Sequence, residues 1–189
     1  MPGRPKSAVL TRQAGKWYVM FHVEVEAVER AGPDSVGIDF GLTSIVALSN
    51  GETVARPGWT QRAAKGLRRR QRAVSRCKRS SKTRRKRIAR LAAYHGRIGN
   101  RRRDFCHKLS RDLVNRFGRI AVENLKIKGL AAGMLAKHVN DAAWGQIISM
   151  LRYKAANAGC EFVEVNPRGT SQTCPECMAA VAKPLEIRE

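Results

Sequence analysis

Between Thr53 and Arg103 the sequence contains no aspartate or glutamate. That stretch carries 20 Lys and Arg, so nearly all of the formal net charge of +22 lies there. The rest of the 189 residues hold 17 bases against 15 acids and are close to neutral. A near-neutral body with one segment of unrelieved positive charge points to a polyanionic partner. Long apolar runs are also missing. No window approaches the roughly 18 residues of a membrane span, and the opening MPGRPKSAVL has none of the apolar core of a secretory leader. Cysteine is sparse and irregular. Cys77, Cys106, Cys160, Cys174 and Cys177 form an odd set, which argues against a disulfide framework and makes a reducing interior the default. Aromatics in and around the basic stretch are few (Trp59, Tyr94, Phe105), so base stacking is not the obvious mode of contact there. No internal repeat is evident, and the length suits one core.

What remains reads as strands, then helices, then strands. Ala8–Leu10 and Lys16–Glu26 form two strands around a turn at Arg12–Gly15, the second with Val19, Phe21, Val23 and Val25 alternating with Tyr18, Met20, His22 and Glu24. Val36–Asp39, Ile45–Ser49 and Thr53–Arg56 form an antiparallel meander, its second turn made by Asn50-Gly51. Ala63, Leu67, Val74 and Cys77 then sit at helical spacing as far as a break at Ser80-Ser81. Beyond it Ile88, Leu91, His95, Ile98, Phe105, Leu109 and Leu113 predict one apolar stripe on a long helix ended by Gly118. The two helices make a hairpin, apolar on one side and cationic on the other. RIAVENL predicts a further strand, Ala142–Ala158 a helix stopped by Gly159, and Glu161–Val165 a last strand.

The bases cluster in LRRRQR (Arg68, Arg69, Arg70, Arg72), in the block Arg84, Arg85, Lys86 and Arg87, and in Arg101, Arg102 and Arg103. Such runs are commonly a solvated face or a disordered tail. Here the interleaved apolar positions argue for formed helices, and with no acid to neutralise them the bases are expected to contact nucleic-acid phosphates.

Two acids end apolar strands: Asp39 in VGIDFGL and Glu123 in IAVENL. Either alone is readily a solvated strand tip. Both strands, however, read as buried on both faces, where a carboxylate is costly unless a cation accompanies it. Beside a segment suited to nucleic acid, the pair points to divalent metal and phosphodiester chemistry.

At this point the residues resemble a known family. GIDFGLTSIVALSNGE is similar to the first RuvC motif of the transposon-encoded TnpB/OrfB proteins, relatives of the miniature type V CRISPR effectors, and RIAVENLKIKGL to their second. NRRRDFCHKLSRDLV, AAWGQIISMLRYKAANAG and NPRGTSQTCPEC match further along, the last resembling the start of their zinc ribbon. The resemblance spans nearly the whole chain in the family's order. It implies an α/β fold: a ribonuclease H-like (RuvC-type) mixed sheet with an inserted basic helical hairpin, an N-terminal β remnant and an incomplete C-terminal zinc ribbon. The implied divisions are 1–32 (strands from the RNA-gripping domain), 33–58 (first part of the core), 59–117 (basic hairpin), 118–167 (second part of the core) and 168–189 (partial ribbon). It further implies an RNA-guided DNA endonuclease of transposons, with DNA and a guide RNA as partners. The expected location is prokaryotic cytoplasm, in association with the nucleoid.

On that resemblance Asp39 and Glu123 are two of three catalytic carboxylates and ligands of Mg or Mn. The family's third acid and second CxxC are not found before the sequence ends at LEIRE. The chain is therefore expected to hold Mg or Mn weakly and to be catalytically incomplete alone. Cys174-Pro-Glu-Cys177 offers two of the four ligands a structural zinc takes, with Met178 where the family has glycine. A single chain is expected not to hold zinc, and proteolysis is expected first from about Arg168. Cys160 reads as core. Two other readings stay open. One is a stand-alone RNA- or DNA-binding module using the nuclease core as scaffold. The other is a protein that gains its missing acid and cysteines from another polypeptide.

Overall fold

Short β-rich runs separated by tight turns pair with their neighbours in sequence, whereas parallel pairing needs a long crossover. Both occur here. The computed structural model describes residues 3–13, 15–24, 32–130 and 136–166. Its centre is β3 (Asp34–Asp39), in a five-stranded sheet of order β5-β4-β3-β6-β7. β4 (Ser44–Leu48) and β5 (Thr53–Ala55) follow as the expected antiparallel meander. Gly51 turns the chain at φ 90°, and the Asn50 amide braces the loop against Glu52. β6 (Phe117–Glu123) joins β3 in parallel, and β7 (Glu161–Val165), with the limits read from the sequence, joins β6 in parallel.

The helices α1 (Trp59–Ser75) and α2 (Lys82–Arg116) form the crossover between β5 and β6. Ser81 caps α2, its hydroxyl accepting from the Arg84 N–H at 3.1 Å, so the serine break is where the hairpin folds back. Gly118 does not end α2 as expected. The helix stops at Arg116, Phe117 is already extended, and Gly118 lies inside β6. Its glycine serves a close crossing: a Cβ there would overlap the Gly32 carbonyl, and a Cβ on Gly32 would overlap that of Arg116.

After β6 come α3 (Ile127–Leu130) and α4 (Ala136–Ala142), too short to leave a periodic signal, and then α5 (Trp144–Ala158). α5 starts two residues later than predicted because Ala143 adopts φ 58° between the helices; Gly159 at φ 72° ends it as expected. Ahead of the sheet, β1 (Arg4–Gln13) and β2 (Lys16–Glu24) form a separate antiparallel hairpin. β1 is longer than predicted because β2 templates Arg4–Ser7 through a bulge at Pro5/Ser7, residues with no strand pattern of their own. Among the described residues no helix is long and apolar enough to cross a membrane.

The core lies on one face of the sheet. Val36, Ile38, Ile120 and Val122 are buried there with Ile147, Leu151 and Ala155 of α5 and Cys106, Leu113 and Val114 of α2. The expectation that VGIDF and IAVEN are buried on both faces is corrected. Along β3, Val36 and Ile38 are buried, Gly37 is half-buried and Asp39 is exposed. On the second face the central strands place small side chains, Gly37, Ala47 and Ala121, all only half-buried, beside Val163 of β7.

A charge sits between α2 and α5 on the core side. Lys154 is 3% exposed, and its Nζ donates to the His107 carbonyl at 2.6 Å and to Ser110 Oγ at 2.7 Å. Ser110 Oγ in turn donates to the Cys106 carbonyl, so the ammonium ties α5 to the last turns of α2. Burial, reinforced by the Arg111 charge, holds the Lys154 amine below its ordinary 10.5. Cys106 beside it stays a thiol, pushed by burial to about 11. Because the folded value is depressed, the cost of burying the ammonium is fully present below it and relieved as pH rises toward the unfolded value. Lys154→Met is expected to be neutral or stabilising by about 1–2 kcal/mol at pH 7. That advantage should shrink in thermal melts as pH rises toward 10.5. An advantage that stays constant with pH would contradict a charged Lys154 in the fold.

Candidate carboxylate pair and nucleic-acid interface

Parallel register brings the two predicted acids together. Ile38 lies opposite Val122, so Asp39 and Glu123, each one residue on, end adjacent strands side by side. Both fall on the small-residue face, across from the core, because side chains alternate along a strand. Asp39 is opposite Ala47 on β4, and Glu123 is opposite Val165 on β7, so neither neighbour crowds them. Asp39 is exposed and Glu123 half-buried. The desolvation argument for a companion cation therefore does not hold at this edge, where Asp39 is exposed and the neighbouring Gly37 and Ala121 are only half-buried. What holds is geometry: two carboxylates at the carboxyl ends of neighbouring parallel strands, where open α/β sheets bind ligands. Among the described residues no group of three or more His, Cys, Asp or Glu converges to hold a metal ion. Cys174 and Cys177 lie outside the described residues.

The predicted bases divide into two sets. Arg68, Arg69, Arg72, Arg85, Lys86, Arg101 and Arg103 are exposed. Arg70, Arg84, Arg87 and Arg102 are only half-exposed, and three of these brace the hairpin internally. Arg70 stacks on Tyr94 with its Cζ 3.9 Å from the ring centroid and donates to the Gly66 carbonyl. A Cβ on Gly66 would overlap the Tyr94 hydroxyl, so glycine is what lets this ring approach. Arg87 donates to the Ala73 carbonyl at 2.7 Å and to Cys77 Sγ at 3.3 Å, tying the two helices near the tip. Arg102 sits at the root, where its Nη2 is 3.3 Å from Asp141 Oδ1. The same Asp141 oxygen accepts from the Thr60 N–H at 3.0 Å, capping the start of α1 in place of the absent side-chain cap. Trp59 completes the root, edge-on to Phe105 with ring centroids 5.3 Å apart.

The predicted apolar stripe of α2 is corrected accordingly. Ile88 and His95 are exposed, while Arg84, Arg87, Tyr94 and Arg102 take inward positions with Leu91, Ile98, Phe105 and Leu109. A helix face this poor in apolar residues closes on aliphatic stems and guanidinium planes instead. Lys65 and Arg76 join the exposed bases of α1 along a groove and were not singled out from the sequence. Their spacing from Arg68 and Arg72 on one helical face was the available signal.

Residues 18–133 match the OrfB_IS605 family, described as a probable transposase. The chain belongs to that family. Residues 144–188 match a second family domain, Cas12f1-like TNB. Among curated relatives, a protein of Streptomyces pristinaespiralis named as an RNA-guided DNA endonuclease is 38% identical over 98% of this chain and 47% of its own length. The similarly named InsQ of Escherichia coli K12 is 28% identical over 93% of this chain and 48% of its own. The chain thus spans about half the length of these relatives. Among solved structures, a Cas12f1–sgRNA–target DNA complex superposes with a TM-score of 0.58 at 18% identity, over 87% of this chain and 35% of that one. At that identity the likeness speaks for the mixed α/β fold alone.

Proposed function

We propose that this chain is a nucleic-acid-binding, RuvC-like module of the RNA-guided DNA endonuclease type. The observation that carries the reading is the pairing of Asp39 and Glu123 on adjacent parallel strand ends, with the acid-free hairpin inserted between those two strands. An antiparallel meander feeding two parallel strands supports the ribonuclease H-like assignment of 33–58 and 118–167, with 59–117 as the inserted hairpin. Residues 1–32 and 168–189 keep the roles the family resemblance implies, RNA gripping and a zinc-ribbon segment. A single chain is not proposed to hold zinc.

Two neighbouring carboxylates fit a hard divalent ion such as Mg²⁺ or Mn²⁺, which takes one or two carboxylates and completes its shell with water and phosphate oxygens. When bound, the ion supplies Lewis-acid polarisation of a phosphodiester. The chain's own part is to hold that diester: the exposed bases bind its flanking phosphates, while the bare carboxylates repel it. Titration with Mn²⁺ is expected to give weak binding, since two carboxylates are the only protein ligands brought together among the described residues. That binding should be lost in both Asp39→Asn and Glu123→Gln. No DNA cleavage is expected with either ion, because among the described residues no third acid joins Asp39 and Glu123. Mn²⁺ binding indifferent to both substitutions would favour the second reading, a stand-alone binding module with the sheet as scaffold, which the exposure of Asp39 also suits.

A further inference from the structure

The hairpin of β1 and β2 is apolar and uncovered. Among the described residues ten large apolar side chains stay exposed, and seven of them belong to these two strands, Leu10 and Trp17 the most open at 63% each. No residue of either strand is buried, and among the described residues no third strand joins them. A two-stranded hairpin is marginal in water, and stability comes with further strands that share an apolar face. We infer that the free edge of β2 is an interface for a second copy of this chain, the two β2 strands pairing antiparallel about a two-fold axis at Met20.

The residues of β2 carry the choice of partner. A two-fold axis normal to the sheet keeps every side chain on its own face, so residues of like parity stand opposite one another. Centred on Met20, that register uses all nine residues, Lys16–Glu24. It sets Lys16 of each copy opposite Glu24 of the other, Trp17 opposite Val23, and Val19 opposite Phe21. Opposite charges and aromatic–β-branched pairs are the favourable cross-strand combinations, and the symmetry supplies each of them twice. Glu24 Oε1 already meets Lys6 at 2.7 Å, and the carboxylate has a second oxygen for Lys16. Sliding the register shortens the ladder and parts Lys16 from Glu24. The other edge of the hairpin is unsuited to the same use. β1 contains Pro5, which has no N–H to donate, and self-pairing there would set Arg4 or Lys6 opposite Arg12.

The test is sedimentation of the whole chain across micromolar concentrations, freed of nucleic acid by nuclease and high salt. High salt also screens the repulsion between two chains of net charge +22. The expected species is a dimer of the 21.0 kDa chain. Met20→Lys brings like charges together on the axis and is expected to weaken the dimer at least tenfold. Lys16→Glu turns two ion pairs into repulsions and is expected to cost about tenfold, restored by Lys16→Glu/Glu24→Lys. Met20 and Lys16 are exposed, so each copy should keep its fold, which circular dichroism checks. Met20→Cys is expected to cross-link copies under oxidation, because opposite Cα atoms of an antiparallel pair lie about 4.5–5.5 Å apart, within disulfide reach. Val9→Cys, opposite Met20 on β1, should cross-link no more than the unaltered chain. A monomer at every concentration overturns the inference. So does a dimer that survives both Met20→Lys and Lys16→Glu, which places the contact elsewhere. A dimer that forms only when RNA or DNA is added also overturns it, because the nucleic acid is then the bridge.

Discussion

Raising salt from 50 to 200 mM is expected to weaken binding of a single-stranded nucleic acid about 300-fold, taking six phosphate contacts at a slope of about −0.7 each. Six is a modest count for a hairpin region that carries 20 bases without an acid. Even with Arg70, Arg87 and Arg102 committed to internal contacts, enough exposed bases remain. Among the described residues no acid pairs with most of them; Arg102 is the exception there, through Asp141. The affinity is therefore displaced-counterion affinity, which salt removes. Fluorescence anisotropy at four salt concentrations suffices to measure it. A slope shallower than about −1 would mean that one contact or none is electrostatic, and the cationic surface would need another explanation.

The second large effect concerns the root of the hairpin. Asp141 is 5% exposed and serves two donors at once, the Thr60 N–H and the Arg102 guanidinium. Arg102 Nε is already buried without a partner. Asp141→Ala would strand the helix-start donor and leave a guanidinium, 22% exposed, without its counter-charge. Removing one member of a buried pair typically costs about 3–5 kcal/mol, and the residual exposure of Arg102 brings the expectation to about 2–4 kcal/mol. For a chain of this size that is a fall in Tm of very roughly 5–15 °C. Asp141→Asn keeps an acceptor for Thr60 and should lose roughly half as much. A Tm within 2 °C of the unaltered chain in Asp141→Ala would show that the root is held by Trp59 and Phe105 packing instead.

Local pattern revealed much of this architecture and missed what depends on distant partners. Asp39 and Glu123 stood out because each ends a short apolar strand. That they lie side by side follows from a parallel register no local window contains. β7 was legible to the residue because Gly159 on one side and Pro167 on the other set both limits. By contrast, Asp141 meets Thr60 and Arg102 across 81 and 39 residues and leaves no trace in its own neighbourhood. The α2 stripe was misread at Ile88 and His95 because arginine counts as surface in a hydropathy pattern, whereas its stem and planar head fill inward positions here. The single-faced sheet was hidden for a related reason. Gly37, Ala47 and Ala121 read as strand interior, yet they are too small to anchor a second layer.

The junction between α2 and β6 has no loop: Arg116 ends the helix and Phe117 begins the strand. Length is therefore not a free variable at that point. One inserted residue would shift β6 by one register and turn Val122 and Glu123 to each other's faces, bringing a carboxylate to the core side and an apolar side chain to the opposite one. The turn from Arg76 to Ser81 is different. It joins two helices far from the sheet, so residues added there lengthen the arm and leave the register of β6 untouched. Variation in hairpin reach can thus accumulate at the tip alone, while the residue count from Phe117 to Glu123 is held by the strand it must match.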